Sequence, residues 1–408
     1  MLRLIVRCIS LFMAGLAVLL LCACGGGGSS ASANGPNFAA ASNEQAIYVN
    51  AGPPGTGYNA NRLYADVTVC EPGTSKCLTI PYVLVDTGST GLRLLNSSFS
   101  AALSLPRQSD TAGRQLVNCA RFVDGSFAWG AVARVDIQLG AKVAGNVPMQ
   151  IMADPAVSAF SSLCSGGSAI VNSASIGANG ILGVGLFKED CGSRCASQTD
   201  NGYYFSCTSG SCLKIRAATA TQVKNPIPLL ASDNNGVVID LPGVGAAPSA
   251  SLVGKMVFGI GSQPNNQLIN GQVLPADARG YVTTTLAGTV MRNSFFDTGS
   301  NGFYFDTASL PACAAANATS FYCPATSIFL TATVSGGSGG SGAVGIGFAV
   351  DNALDSFVGA YPVLPGLAGT LGNARSFDWG LPFFYGRRVF FGIEGMASNL
   401  GTGPFYAF

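Results

Sequence analysis

The sequence predicts an all-β protein with minor α content, built as two lobes with a cleft between them. The chain contains 54 Gly in 408 residues, and its short apolar runs are separated by Gly, Asn, Asp or Ser, a pattern typical of strands joined by tight turns. Its length suffices for two lobes that each bury a core. Two apolar runs end in the same segment, Asp-Thr-Gly-Ser, at Asp86 and at Asp297. This repetition predicts that the two lobes are equivalent.

Both halves show the same order of predicted elements: a hairpin, the Asp-Thr-Gly loop, further strands and an apolar segment ended by glycines. The polar, Cys-rich region 191–212 predicts an irregular surface segment where the chain changes lobe. Alternation and apolar runs predict strands in the first half at 61–69, 81–85, 131–139 and 179–186, and in the second half at 236–241, 255–261, 281–286, 289–291 and 387–392.

A lone Asp-Thr-Gly is more often a turn than a catalytic site, because Asp and Gly both favour turns. Two copies in matching contexts predict that Asp86 and Asp297 meet at an approximate two-fold axis between the lobes. Two adjacent carboxyls share one proton, so one can act as a base and the other as an acid. The flanking residues predict support for this pair through close backbone approach at Gly88 and Gly299, hydrogen bonds across the axis from Thr87 and Thr298, and orientation of the outer oxygens by Ser89 and Ser300.

Composition narrows the possible chemistry. The chain has no His, which excludes Ser-His-Asp and Cys-His catalysis and leaves carboxylates as the catalytic candidates. Lys and Arg number 21 against 20 Asp and Glu, so no charged field favours nucleic acid. We expect no metal ion and no cofactor.

The amino terminus predicts export. Residues 1–23 combine two arginines with a short apolar stretch and form a predicted signal peptide. Ala23 directly before Cys24 is similar to a bacterial lipoprotein cleavage site, so Cys24 is the predicted lipid-bearing residue; an ordinary signal peptide with an incidental Cys is the alternative. Residues 24–44 are a predicted flexible tether, followed by an amino-terminal lobe at 45–224 and a carboxy-terminal lobe at 225–408.

The cysteines agree with an oxidising compartment. Without Cys8, Cys22 and Cys24, ten of the 13 Cys remain, enough for five disulfides. Local spacing predicts bridges between Cys70 and Cys77 and between Cys313 and Cys323. A four-thiolate zinc site is the alternative for one set of cysteines, namely Cys191, Cys195, Cys207 and Cys212.

The paired Asp loops, the segment Gly180–Gly185 and the closing Asp378-Trp379-Gly380 together resemble the pepsin-like aspartic peptidases over roughly residues 60–408. The chain is also similar to a group of uncharacterised bacterial lipoproteins with two Asp-Thr-Gly-Ser motifs. The resemblance implies a bilobal pepsin-like double β-barrel, an active cleft, and a flap hairpin over it formed by Phe122, Asp124, Gly125 and Ser126.

Several positions depart from that family. Phe122 stands where the family has a flap Tyr, Arg93 stands where it has a Trp, and Asp378 replaces an aliphatic residue. Trp129 is either a second flap aromatic or a core residue. These changes leave the Asp loops intact but alter the flap.

The resemblance implies an aspartic endopeptidase that uses a water held between Asp86 and Asp297. The alternatives are an inactive envelope lipoprotein that binds peptide or glycan in the cleft, and a structural or adhesive one. We expect a peptide or protein substrate, a monomer, and a lipid anchor to a bacterial membrane, with outer-membrane sorting toward the periplasm or the surface. No removable inhibitory segment is expected before the first strand.

Overall fold

The computed structural model describes residues 42–157, 164–316, 318–337 and 342–408. The strands of the first half are β1 (Glu44–Val49), β2 (Leu63–Cys70), β3 (Cys77–Asp86), β4 (Thr90–Leu95), β5 (Gln115–Arg121), β6 (Phe127–Leu139), β7 (Lys142–Met152), β8 (Gly180–Val184), β9 (Tyr204–Thr208) and β10 (Ser211–Lys214). The predicted signal peptide, Cys24 and most of the tether lie outside the described residues.

The second half continues the β pattern. Its strands are β11 (Gly236–Asp240), β12 (Leu252–Phe258), β13 (Val273–Pro275), β14 (Val282–Leu286), β15 (Thr289–Phe296), β16 (Phe303–Tyr304), β17 (Ile328–Ser335), β18 (Ala343–Val350), β19 (Ala368–Gly369), β20 (Asp378–Trp379), β21 (Arg388–Gly392), β22 (Ala397–Ser398), β23 (Gly401–Thr402) and β24 (Phe405–Ala407). The α-helices are short: α1 (Ser173–Ile176), α2 (Ser193–Ser197) and α3 (Ala353–Phe357). Single 3₁₀ turns occur at Asn96–Ser98, Thr219–Thr221, Ile227–Leu229, Pro264–Asn266 and Leu381–Phe384.

Six strands of the first half form a closed barrel. Around the ring, β2 pairs with β3, β3 with β8, β8 with β4, β4 with β7, β7 with β6, and β6 pairs back to β2. Strand β2 shows why these segments form strands, because Val67 and Val69 are buried while Asp66 is exposed. The disulfide between Cys70 and Cys77 closes the β2–β3 hairpin, as predicted.

The second half has its own sheet, in the order β18-β17-β14-β15-β20-β16-β19. A third group of strands, β12-β11-β21-β24-β13, is joined to the first barrel through β1, which pairs with both β2 and β12. The predicted all-β fold with two barrel-like bodies is therefore confirmed. Strand β1 begins at Glu44, one residue before the predicted start of the amino-terminal lobe; the boundary at residue 225 stays a prediction.

The core of the second half is dense in aromatic rings. Phe296, the last residue of β15, packs against Phe383 with ring centroids 4.7 Å apart and stacks on Trp379 at 6.1 Å. The Trp379 indole donates to the Thr284 hydroxyl at 3.0 Å, so its polar atom is satisfied although the residue is fully buried. This packing fixes the chain directly before Asp297.

The prediction that region 191–212 is an irregular surface segment is wrong from Tyr204 onward, although residues 197–200 are exposed. Strand β9 lies within it and pairs with β5, so the strand order here is β10-β9-β5-β6. Tyr204 and Phe205 are fully buried in this sheet. The disulfides Cys191–Cys195 and Cys207–Cys212 consume the four thiols, so the zinc alternative is also wrong.

Five disulfides form among the described residues, as the cysteine count predicts. Cys313 pairs with Cys323, and Cys119 on β5 pairs with Cys164. Trp129 is 3% exposed and packs in the core beside Phe205, which identifies it as a core residue. None of the helices in the described part of the chain has the length and apolar character needed to cross a bilayer.

Candidate active site

Asp86 is the last residue of β3, and the tight turn after it directs two amides back at its carboxyl. Gly88 N and Ser89 N donate to Asp86 Oδ1 at 2.8 and 3.1 Å. The Ser89 hydroxyl donates to Asp86 Oδ2 at 2.5 Å. Asp86 is 6% exposed, so its charge depends on these donors instead of on bulk water.

Asp297 follows β15 and has an equivalent environment. Gly299 N donates to Asp297 Oδ1 at 2.7 Å, and the Ser300 hydroxyl donates to Oδ2 at 2.9 Å. Gly88 N of the other loop also reaches Asp297 Oδ1, at 3.1 Å. The Gly88 amide therefore donates to the inner oxygens of both carboxyls.

The two threonines lock the loops together through reciprocal hydrogen bonds. Thr87 N donates to Thr298 Oγ1 at 3.2 Å, and Thr298 N donates to Thr87 Oγ1 at 2.9 Å. Each hydroxyl then donates onward to a strand of the opposite half, Thr298 to Val85 O at 2.7 Å and Thr87 to Phe296 O at 3.3 Å. The sequence-predicted contact across the axis is present in the structure.

We expect Thr298→Val to lower the free energy of unfolding by roughly 2 kcal/mol, because it leaves Val85 O and Thr87 N buried without their partner. Thr333→Val is the matched control, since Thr333 is exposed on β17 and should tolerate the change. Chemical denaturation measures both. Equal stabilities of the two variants would contradict a structural role for the threonine contact.

Glycine is required on both loops because each faces the opposite carboxyl. A Cβ added at Gly88 would lie 2.6 Å from Asp297 Cγ, and one added at Gly299 would lie 2.9 Å from Asp86 Cγ. Both distances are shorter than van der Waals contact. The carboxyl groups thus pack over the glycines, which brings them close enough to hydrogen-bond to each other.

Burial raises the pKa of Asp297 well above its ordinary value of 3.8, and the neighbouring charge of Asp86 raises it further. The hydrogen bond between the two carboxyls acts in the same direction, whereas the Gly299 amide opposes it. The two carboxyls therefore titrate as a pair that keeps one proton to a higher pH than a lone aspartate would.

The strands around the two loops follow one pattern. In the first half, β3 runs parallel to β8, which is antiparallel to β4, which is parallel to β7. In the second half, β15, β20, β16 and β19 repeat these relations in the same order. The registers make Ile181 equivalent to Asp378 and Arg93 equivalent to Tyr304. Differences between equivalent residues therefore mark where the two halves have diverged.

A cavity of about 590 Å³ opens over the two carboxyls. Both halves contribute to it, and its walls include Leu84 and Ile181 on one side and Phe295 and Asp378 on the other. Of the supporting residues, Gly88, Ser89, Gly299 and Ser300 reach the cavity, whereas the buried threonines lie beneath it. Within the described residues, no cluster of three or more His, Cys, Asp or Glu could hold a metal ion.

The predicted flap is the turn of the β5–β6 hairpin. Phe122 N donates to Ser126 O at 2.9 Å, and Ser126 N donates to Asp124 Oδ1 at 2.8 Å. Phe122, Asp124 and Ser126 line the cavity. Gly125 does not; it occupies a positive-φ position (82°) where the turn requires glycine, and its carbonyl accepts from Gly167 N.

Arg93, at the position where pepsin-like peptidases have a Trp, links the hairpin strands to the rest of the first half. Its guanidinium donates at 2.7 Å to Asn118 on flap strand β5 and at 2.7 Å to Gln150 on β7. It also pairs with Asp190 at 3.2 Å, with both side chains 4% exposed. Tyr204 on β9 donates to the other Asp190 oxygen at 2.6 Å. Sequence reasoning identified the substitution but not this network, because its members are far apart in the chain.

Two further cavity residues were not predicted from the sequence. Tyr304 and Arg62 both line the wall, and neither belongs to a recognisable motif. Burial raises the pKa of Tyr304 beyond its ordinary value of 10.0, so its phenol stays protonated, and the hydroxyl donates to Asn301 Oδ1. Tyr304 is equivalent to Arg93 in the strand pairing of the two halves, and this equivalence is the one signal that could have identified Tyr304.

Comparison with known proteins identifies the family of the chain. No curated protein matches the chain. A match to DUF3443, described as proteins of unknown function, extends over residues 39–408 and so includes both Asp-Thr-Gly loops, the flap and β20. The chain belongs to the DUF3443 family.

Proposed function

We propose that the protein is an aspartic endopeptidase that hydrolyses peptide bonds with a water held between Asp86 and Asp297. The observation that carries the proposal is the contact between two carboxyls, Asp86 buried and Asp297 partly buried, which equivalent loops of the two halves supply. A pair that shares one proton offers a base and an acid within reach of one substrate carbonyl. The resemblance to pepsin-like peptidases supports the same reaction.

In this mechanism, the Asp86 carboxylate accepts a proton from water as the water oxygen bonds to the carbonyl carbon. Asp297 donates its proton to the carbonyl oxygen, which gives a neutral tetrahedral diol. Asp86 then passes its new proton to the amide nitrogen, the C–N bond breaks, and Asp297 recovers a proton from one hydroxyl. Both carboxyls end in their starting states, and no covalent intermediate forms.

The direct test is cleavage of a peptide library by the purified protein, read by mass spectrometry. We expect new amino and carboxyl termini at internal positions. Added hydroxylamine should trap no acyl product, because the nucleophile is water and not a side chain. A trapped acyl hydroxamate would contradict the mechanism.

The pH profile provides a second check. Cleavage requires one proton on the pair, and the raised pKa of Asp297 delays the loss of that proton as pH increases. We therefore expect the basic limb of kcat/KM to lie well above the ordinary aspartate value of 3.8. An activity that declines with an apparent pKa near 3.8 would contradict the shared proton.

A second candidate, an inactive binding protein of the envelope, is favoured by one feature of the flap. Phe122 supplies no hydroxyl over the cleft, so the flap cannot donate the hydrogen bond that a tyrosine would provide. Peptide binding without cleavage at any pH would support this candidate.

We also propose that the protein works in the cell envelope. The five disulfides support an oxidising compartment, whereas the lipid anchor at Cys24 rests on sequence alone.

A further inference from the structure

A third carboxyl, that of Asp378, lies in the wall of the cleft. Asp378 begins β20 and pairs with Phe295 on β15 and with Tyr304 on β16. Its counterpart in the first half is Ile181, which holds the same register on β8 between β3 and β4. The two equivalent positions thus carry an apolar side chain in one half and an acid in the other.

Asp378 has no cationic partner within the described chain. It is 1% exposed, and its Oδ1 is buried without any hydrogen-bond donor among the described residues. Arg62 lines the same cavity but forms no ion pair with it. Burial raises the pKa of Asp378 to about 8, and the nearby Ser300 hydroxyl opposes that rise.

An unpaired acid at this position is costly for folding. Burying a polar group without a partner disfavours the folded state, and the equivalent position shows that an Ile fits the same strand pattern. The acid therefore offers no advantage to the core. A ligand that brings its own positive charge would supply the missing partner, because Asp378 faces the cavity.

The opposite side of the cleft is apolar. Ile181 packs there with Leu84, Ile170 and Ile176, and all four line the cavity beneath the flap. Because the two halves are related by an approximate two-fold axis through the carboxyl pair, Ile181 and Asp378 lie on opposite sides of the bond that is cut. The two sides would therefore accept different substrate groups.

We infer that Asp378 is a specificity-determining residue that binds an ammonium or guanidinium group of the peptide substrate on one side of the scissile bond, while the Ile181 side accepts an apolar side chain. This inference rests on the proposed endopeptidase function. On binding, Asp378 releases its proton to solvent and pairs as a carboxylate with the incoming cation, so the charge of the buried pair balances.

The test uses peptide libraries randomised on both sides of the scissile bond. For the wild-type protein, we expect Lys or Arg on one side and an apolar residue on the other. Asp378→Asn should reduce the preference for Lys or Arg at least ~10-fold. Asp378→Ile should prefer apolar residues on both sides of the scissile bond. The matched control is Asp355→Asn, because Asp355 is exposed on α3 away from the cavity.

Thermal unfolding of each variant shows whether a lost cation preference results from a lost fold. Asp378→Ile should fold, because Ile181 already occupies the equivalent position on β8. An unchanged cation preference in either folded variant, or cleavage by the wild type without any such preference, would overturn the inference while leaving the endopeptidase proposal intact.

If no cleavage is seen, a binding measurement shows whether the proposed role of Asp378 fails together with the endopeptidase function. Two peptides that differ only in Lys or norleucine at one position are titrated into the wild-type protein by calorimetry. Tighter binding of the Lys peptide without cleavage would contradict the endopeptidase function and keep the role of Asp378. Equal affinities without cleavage would overturn both.

Discussion

Asp86→Asn and Asp297→Asn should each reduce peptide cleavage by roughly 10³-fold or more, because each removes either the base or the acid of the pair. The amide is nearly isosteric with the carboxyl and retains an oxygen that can accept from the Gly88 or Gly299 amide. The loops should therefore stay in place. Initial rates on a peptide cleaved by the wild type, measured beside thermal unfolding, check this expectation.

The matched control for these variants is again Asp355→Asn, an exposed aspartate on α3, which should cleave at the wild-type rate. Thermal stability of these variants at neutral pH should equal or exceed that of the wild type, because each substitution leaves one carboxyl where two compete for a single proton, and a carboxyl with a raised pKa disfavours the folded state at neutral pH. Full activity in either folded variant would exclude the two-carboxyl mechanism.

Removal of the Cys119–Cys164 disulfide should lower the free energy of unfolding by roughly 4 kcal/mol. This bridge joins residues 45 positions apart and so restricts the unfolded chain over a long loop. Both sulfurs are buried, and Cys119 lies on flap strand β5. The double variant Cys119→Ala/Cys164→Ala, unfolded by denaturant under non-reducing conditions, measures the loss.

The control is Cys191→Ala/Cys195→Ala, whose bridge encloses only a short loop, with a separation of 4. Chain entropy predicts a smaller loss for it, roughly 2 kcal/mol. If the two double variants lost equal stability, loop length would not govern the contribution of these bridges.

The fold class could be predicted because its signals are local. The period-two pattern of β2 and the apolar run before Asp86 each identify a strand without knowledge of its partner. Strand β9 could not be predicted in this way, because its residues Tyr204 and Phe205 stand among polar residues and cysteines. Its stability comes from pairing with β5, nearly 90 residues earlier in the chain.

The site residues differ in the same respect: those with local sequence signals could be predicted, and those defined by long-range contacts could not. Asp86 and Asp297 could be predicted because each carries its own supporting glycine, threonine and serine in the next three positions. Arg93, Asp190 and Tyr204 act through contacts between distant segments, with Arg93 and Asp190 separated by 97 positions. The sequence marked Asp378 only as a departure from the pepsin-like pattern. That its Oδ1 lacks a hydrogen-bond partner could be seen only in the folded structure.

A peptide has a direction, from its amino to its carboxyl end, whereas two identical loops around a two-fold axis have none. The carboxyl pair alone would accept a chain in either orientation. Because Ile181 and Asp378 occupy equivalent positions but differ in charge, the cleft has polarity, and a bound chain and its reverse are no longer equivalent. In the proposed endopeptidase, the difference between the two halves would determine which way the substrate lies, and their likeness would determine where it is cut.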